Sequence, residues 1–392
     1  MKIHENIFES IVSIENLFLA WEKFRKGKRS RKDVQDFEWR LEPNIFQLNR
    51  ELRSRRYKHG GYHSFYIHDP KQRLINKATV RDRIVHQALF NILNPIFEAG
   101  FIPTSYSCRV GKGTHNGVLV VDKMIRQVSR NYTESCFVLK CDIRKFFRSV
   151  DHQLIVQSVT KRIKDEGTIW LLERIVNSFP DGMPIGNLTS QLFANIYMDR
   201  LDQFIKQTLG VKYYARYTDD FVVVASTEEY LHNLLEPLKD FLKNHLALEL
   251  HPNKVSIRKY RQGVDFLGYV ILPHHRRLRT RTKRRIITRV NQLLSQEKTG
   301  QVSRKSFNQS IESYFGVLGH ADSYTLEQKI RRASGLFREK SQKMSRKEGD
   351  GSQKQVRKQS MTRRPYPVGL PRVPWGFDQG VFSQRRLMSE CG

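Results

Sequence analysis

Asp142, Asp219 and Asp220 are the residues of this sequence best suited to metal-assisted phosphoryl chemistry. Asp219 and Asp220 adjoin in Tyr217-Thr218-Asp219-Asp220, and Asp142 closes the apolar run Phe137-Val138-Leu139-Lys140-Cys141. Nucleotidyl transfer to a 3′-hydroxyl uses two divalent cations about 3.5–4 Å apart, one activating the attacking oxygen and one holding the triphosphate. Mg2+ prefers hard oxygen ligands and usually takes only one or two carboxylates beside phosphates and waters. Three acids converging from adjacent strands meet that need. An Asp pair in a turn also has a plain structural reading, since Asp favours turns for its own hydrogen bonds. The apolar flanks weigh against that reading, because Val222-Val223-Val224 and Phe137-Val138-Leu139 read as core strands that hold the acids at a rigid edge. Like charges so close raise one another's pKa unless cations are present.

The elements that must position these acids can be read from periodicity. Residues 212–216 and 221–225 are two strands flanking the Asp pair as a compact hairpin, and 137–141 is a buried strand. Residues 187–201 form a helix with an apolar stripe through Leu188, Leu192, Ile196 and Tyr197, entered from a loop holding Pro184 and Gly186. Residues 1–60 read as helices, with Ile7, Ile11, Ile14, Leu17 and Phe18 at helical spacing. Residues 62–67 read as a short strand, Asp69-Pro70 as a turn, and 81–97 as an amphipathic helix. Residues 231–246 are predicted as one helix and 264–272 as strand. Residues 280–335 are basic and helical, with Gly316, Gly319 and Gly335 as punctuation. Strands and helices mix without strict alternation, which predicts an α+β fold.

The 392 residues carry 69 Lys and Arg against 39 Asp and Glu, a formal net charge of +30. The excess runs along the whole chain, so a polyanion is the expected partner. No charge-free stretch is long enough to span a membrane, and the start of the chain lacks a signal-peptide pattern. Cys108, Cys136, Cys141 and Cys391 show no CxxC spacing. They suit a reducing cytosol, with the first three as buried thiols or passengers.

Taken together, the motifs resemble those of reverse transcriptases. Tyr217-Thr218-Asp219-Asp220 resembles their Tyr-x-Asp-Asp box, and Asp142-Ile143-Arg144-Lys145-Phe146-Phe147 their first catalytic motif. Lys71 to Ile75 and Val80 to Val85 resemble the motif that binds triphosphate, and Ser105 to His115 the next one. Gly186 to Gln191 is similar to the loop contacting nucleotide and template, Asn253-Lys254 to the lysine motif, and Phe266-Leu267-Gly268-Tyr269 to the primer-grip turn. The likeness implies a right-hand polymerase with fingers, a palm whose antiparallel sheet carries the Asp triad, and a helical thumb. Its expected divisions are an N-terminal helical extension (1–60), fingers and palm (61–275), thumb (276–338) and a basic tail (339–392) that RNA or a partner would order.

The resemblance also implies roles. Asp142, Asp219 and Asp220 would hold two Mg2+ ions, with Mn2+ a substitute in vitro, and Lys254 would protonate the leaving pyrophosphate. Lys71, Arg73 and Arg81 would clamp the triphosphate, Arg bidentately and Lys as a point charge. Phe147 would underlie the incoming sugar and exclude a 2′-hydroxyl. Ile185, Gly186 and Gln191 would border the nascent base pair, and Phe266, Leu267 and Gly268 would grip the primer. Structural readings stand beside these: Phe146 or Phe147 as plain core, Lys254 as a solvated cation, Tyr106 as packing. Expected partners are the RNA template, the RNA/DNA primer-template duplex, dNTPs and a small basic accessory protein, in a prokaryotic cytoplasm and off the membrane. Relatives of group II introns mostly have Gln before the loop Gly and Pro after its Ser, whereas here Ile185 and Gln191 stand. That variant resembles diversity-generating retroelement enzymes, which implies an error-prone enzyme misreading template adenines. Antiviral-defence reverse transcriptases acting with a non-coding RNA share it, and an RNA-binding maturase-like protein is the alternative from another class.

Overall fold

A computed structural model describes residues 2–68 and 72–335. Within them the chain divides into two compact units, 2–279 and 280–335. The triphosphate candidate Lys71, the Asp69-Pro70 turn, Cys391 and the basic tail lie outside the described residues.

The first unit is built on antiparallel sheets. β1 (Tyr62–Ile67) and β2 (Arg73–Ala78) form a two-stranded ribbon. β3 (Phe137–Asp142), β4 (Tyr214–Tyr217), β5 (Asp220–Ala225) and β6 (Ser256–Lys259) form a four-stranded sheet in the order β4-β5-β3-β6. β7 (Val264–Phe266), β8 (Tyr269–Leu272) and β9 (His275–Leu278) form a third sheet. β3 and β5 are the two central strands of their sheet, which is why they carry the continuous apolar runs. Leu139, Cys141, Phe221 and Val223 share one core with Leu17, Trp21 and Leu48 from the first sixty residues. The early helices therefore pack into the same core as the central sheet. Helices Val80–Glu98 and Leu188–Gln203 pack on each other within it.

Two sequence expectations in the first unit are corrected. The helix expected over 231–246 is two, Glu228–Asn233 and Leu235–Leu246. Pro237 has no N–H to give the carbonyl four residues back, so it suits the first turn of a new helix rather than the middle of an old one. The strand expected over 264–272 is the β7–β8 hairpin, turned at Leu267 (φ 50°) and Gly268 (φ 89°). Positive φ at both central residues is what a two-residue hairpin turn of matching twist requires.

The second unit holds three helices, Thr280–Lys298, Arg304–Leu318 and Tyr324–Ala333. Gly316, expected as a break, lies inside the second of them. Ile286, Val290, Phe307, Ile311, Phe315, Leu326 and Ile330 are buried, and Lys283, Arg284 and Arg285 are exposed.

Candidate active site

Strand register brings the acids together. β3 and β5 pair so that Asp142 stands directly opposite Asp220. Tyr217 and Asp220 pair across the β4–β5 hairpin, leaving Thr218 and Asp219 as its two-residue turn. The backbone knits these ends to a third segment. Ile143 N donates to Asp219 O at 3.3 Å, and His251 N to Asp142 O at 2.8 Å. A turn in which Lys254 N donates to His251 O at 3.0 Å then brings Lys254 Nζ to Asp142 Oδ1 at 2.7 Å. Burial, then Asp220 and Asp142, push the Asp219 carboxyl up to about 7, and Asp220 is raised by burial first. Arg73 on β2 is close enough to oppose the shift of Asp219.

These donors suit a hard divalent cation in type and in their shared excess of negative charge. Among the described residues no group of three or more His, Cys, Asp or Glu side chains is already arranged around an ion position. Asp142 turns one oxygen to the Lys254 ammonium, which sets a positive charge against the acidic cluster.

Residues 64–271, more than half of the chain, match the family "Reverse transcriptase (RNA-dependent DNA polymerase)". The chain belongs to the reverse transcriptases. YkfC of Escherichia coli (strain K12) is 26% identical over 255 residues, covering 54% of this chain and 65% of the relative. The COX1/OXI3 intron 2 protein of Saccharomyces cerevisiae is 21% identical over 277 residues, covering 54% and 30%. The group II intron-encoded protein LtrA of Lactococcus lactis subsp. cremoris is 21% identical over 332 residues, covering 66% and 51%. The chain thus spans less than two thirds of the length of these relatives.

The other residues singled out in the sequence fall into four places. Phe147 is half-buried beside Phe146, which lies in the core at 2% exposure, their rings edge-on at 5.3 Å. Of the two, Phe146 is therefore the packing residue. Ile185 packs on Ile67 and Ile75 of the β1–β2 ribbon, and its carbonyl accepts from Asn76 N at 3.0 Å. Gly186 follows at φ 117°, and Gln191 lies in the first turn of the Leu188–Gln203 helix. Arg81, by contrast, is engaged elsewhere: it pairs with Glu51, donates to Lys58 O at 3.1 Å and lies over the Tyr57 ring. Phe266 is fully buried, with Leu267 and Gly268 forming the β7–β8 turn.

Sequence reasoning missed what lies beneath the Asp219 turn. Thr218 has φ 55°, a left-handed conformation that a β-branched residue adopts at a cost of about 1–3 kcal/mol. Its hydroxyl donates to Ser107 Oγ at 2.6 Å, and its carbonyl accepts from Arg216 Nη1 at 3.1 Å. The Arg216 and Asp202 side chains are both 0% exposed and paired through two hydrogen bonds, 2.7 and 2.6 Å. Burial opposes the Arg216 charge, and Asp202 more than offsets it, holding the guanidinium pKa above its ordinary value. One signal was available: an arginine beside Tyr214-Ala215 in an otherwise apolar strand should be read as a buried, paired charge.

Proposed function

We propose that this chain copies RNA into DNA, with Asp142, Asp219 and Asp220 as the carboxylates of the polymerisation site. The observation that carries the reading is the β3–β5 register, which sets Asp142 opposite Asp220 with Asp219 adjoining, in a chain of the reverse transcriptase family. The net charge of +30 supports a nucleic-acid substrate, and no helix among the described residues is long and apolar enough to cross a membrane. In this reading the 280–335 unit serves as thumb and the β1–β2 ribbon as part of the fingers. When bound by the three carboxylates, two Mg2+ ions would supply activation of the 3′-hydroxyl and neutralisation of the triphosphate. Arg73, with Lys71 as its expected neighbour, holds the triphosphate, and Lys254 Nζ delivers a proton to the pyrophosphate oxygen. Primer extension on a defined RNA with dNTPs tests the reading, and a well-folded protein that adds no nucleotide overturns it.

Phe147 is the sugar gate in this scheme. Phe147→Ala should raise rNTP use relative to dNTP by about tenfold, within the 1–3 kcal/mol typical of a lost apolar fit. A ratio moved instead by Phe146→Ala would transfer the role to Phe146.

We further propose the error-prone enzyme of a diversity-generating retroelement, a reading supported by Ile185. Its side chain offers no hydrogen bond to a nascent base pair, and discrimination by apolar shape is weaker than discrimination by hydrogen bonds. Ile185→Gln should lower misincorporation opposite template adenine by about two- to tenfold, the worth of one hydrogen bond of about 0.5–1.5 kcal/mol. Deep sequencing of cDNA from one RNA, with and without a small basic accessory protein, measures it. A wild type that copies adenine as faithfully as guanine in both arms would point to the defence-type reading.

A further inference from the structure

The Arg216 guanidinium is fully buried and has five N–H donors, so it calls for five acceptors. It finds them. Nε and Nη2 reach both oxygens of Asp202, Nη2 also reaches Ser105 Oγ at 3.1 Å, and Nη1 reaches Asn195 Oδ1 at 3.5 Å and Thr218 O at 3.1 Å. Asp202 also accepts from Tyr214 OH at 2.7 Å, and Asn195 Nδ2 donates to Ser107 O at 2.9 Å. One side chain therefore ties the Leu188–Gln203 helix and the 105–107 segment to the carbonyl immediately before Asp219. A buried ion pair is a poor device for stability, since apolar residues of like volume often serve as well or better. Its geometric exactness has a different use. The turn it grips contains a β-branched residue at positive φ, a conformation that does not persist unless the surroundings hold it.

We propose that Arg216, Asp202 and Ser107 are positioning residues: they hold Thr218 in its left-handed conformation and thereby aim the Asp219 carboxylate at Asp142 and Asp220. This rests on the reading of those carboxylates as the polymerisation site. Arg216 and Asp202 fix the carbonyl side of Thr218, and Ser107 fixes its hydroxyl. Loosening either anchor lets the turn relax toward ordinary backbone and carries Asp219 away from its partners. A lysine at 216 has three donors on a single nitrogen and cannot span the same acceptors.

The test uses the full-length protein with template-primer bound. Ser107→Ala removes one acceptor, and Arg216→Met with Asp202→Leu replaces the ion pair by apolar bulk. Both should lower kcat for dNTP addition, by about three- to tenfold for Ser107→Ala and more for the double variant. KM for template-primer should stay within about twofold. Mn2+ affinity, read by electron paramagnetic resonance on a chain-terminated primer without turnover, should weaken in step with kcat. A structural role alone would lower the melting temperature and the titrated fraction of active sites, with kcat per active site and Mn2+ affinity unchanged. That result, or wild-type kcat in a folded Ser107→Ala, overturns the proposal. If the double variant does not fold, Ser107→Ala decides by itself. Asp219→Asn separates the two levels: if it extends primers as the wild type does, the carboxylate reading fails, and if it is dead while Ser107→Ala is normal, only the positioning role fails.

Discussion

Asp219→Asn and Asp142→Asn are each expected to cut dNTP incorporation by about a thousandfold or more while the protein stays folded and RNA-bound. Several kcal/mol of transition-state stabilisation depend on a two-cation centre, and each 1.4 kcal/mol or so is a decade in rate. An amide is isosteric with the carboxylate and lacks the charge. The fold should gain from the change at Asp219, because burial and then its two acidic neighbours push that carboxyl up to about 7. Its folded value lies above the ordinary carboxylate value of about 3.9. The stabilisation is thus complete below that ordinary value and lost as pH rises through 7. Asparagine does not titrate, so metal-free Asp219→Asn should melt above the wild type at pH 8, with the gain shrinking toward pH 5. Retention of a tenth of wild-type extension would remove Asp219 from the site. A variant that melts lower at pH 8 would remove the repulsion.

Gly182→Ala should be the most damaging methyl addition near the candidate sugar gate. Gly182 has φ 65°, and an added Cβ would lie 2.2 Å from Phe147 O and 2.7 Å from Arg148 Cα. Both obstacles are backbone and cannot swing aside. The left-handed conformation costs a non-glycine residue about 1–2 kcal/mol, and overpacking typically costs about 1–3 kcal/mol more. Denaturant unfolding should therefore show a loss of about 2–5 kcal/mol. Gly210 provides the control, with a similar φ of 62° and no atom within 4 Å of an added Cβ. Gly210→Ala should show the conformational cost alone. Since Met183 N also donates to Phe147 O at 2.6 Å, the folded fraction of Gly182→Ala should discriminate less well against rNTPs. Equal destabilisation at the two glycines would mean that the Phe147 backbone yields freely.

Strands β3, β4 and β5 and the Asp hairpin were legible because their signals are local: apolar runs in β3 and β5, and acids at their ends. The strands β2, β6 and β9 were not read, since Arg73, Lys77, Arg258, Lys259, Arg276 and Arg277 interrupt the alternation that marks a strand. The apposition of Lys254 with Asp142 crosses 112 residues, and no local spacing announces it. Nothing local marks Thr218 as left-handed, and the Ser107 anchor lies 111 residues away. Arg81 shows another case, a cation to which the family likeness assigned the triphosphate and whose neighbours are Glu51 and Tyr57.

The order of the central sheet has a consequence for how the chain is made. β3 lies between β5 and β6, yet it precedes both in sequence, and its pairing partners in β5 are about eighty residues downstream. On a ribosome adding about 5–20 residues per second, an apolar strand with two open edges must wait several seconds for its first neighbour. Unpaired strand edges of this kind are templates for wrong pairing. The helices of the first sixty residues emerge earlier and share a core with β3, so they can shield its apolar side chains but not its edges. Expression should therefore be most sensitive to substitutions that slow or weaken the β5 strand, and slower translation before residue 220 should lower the soluble yield.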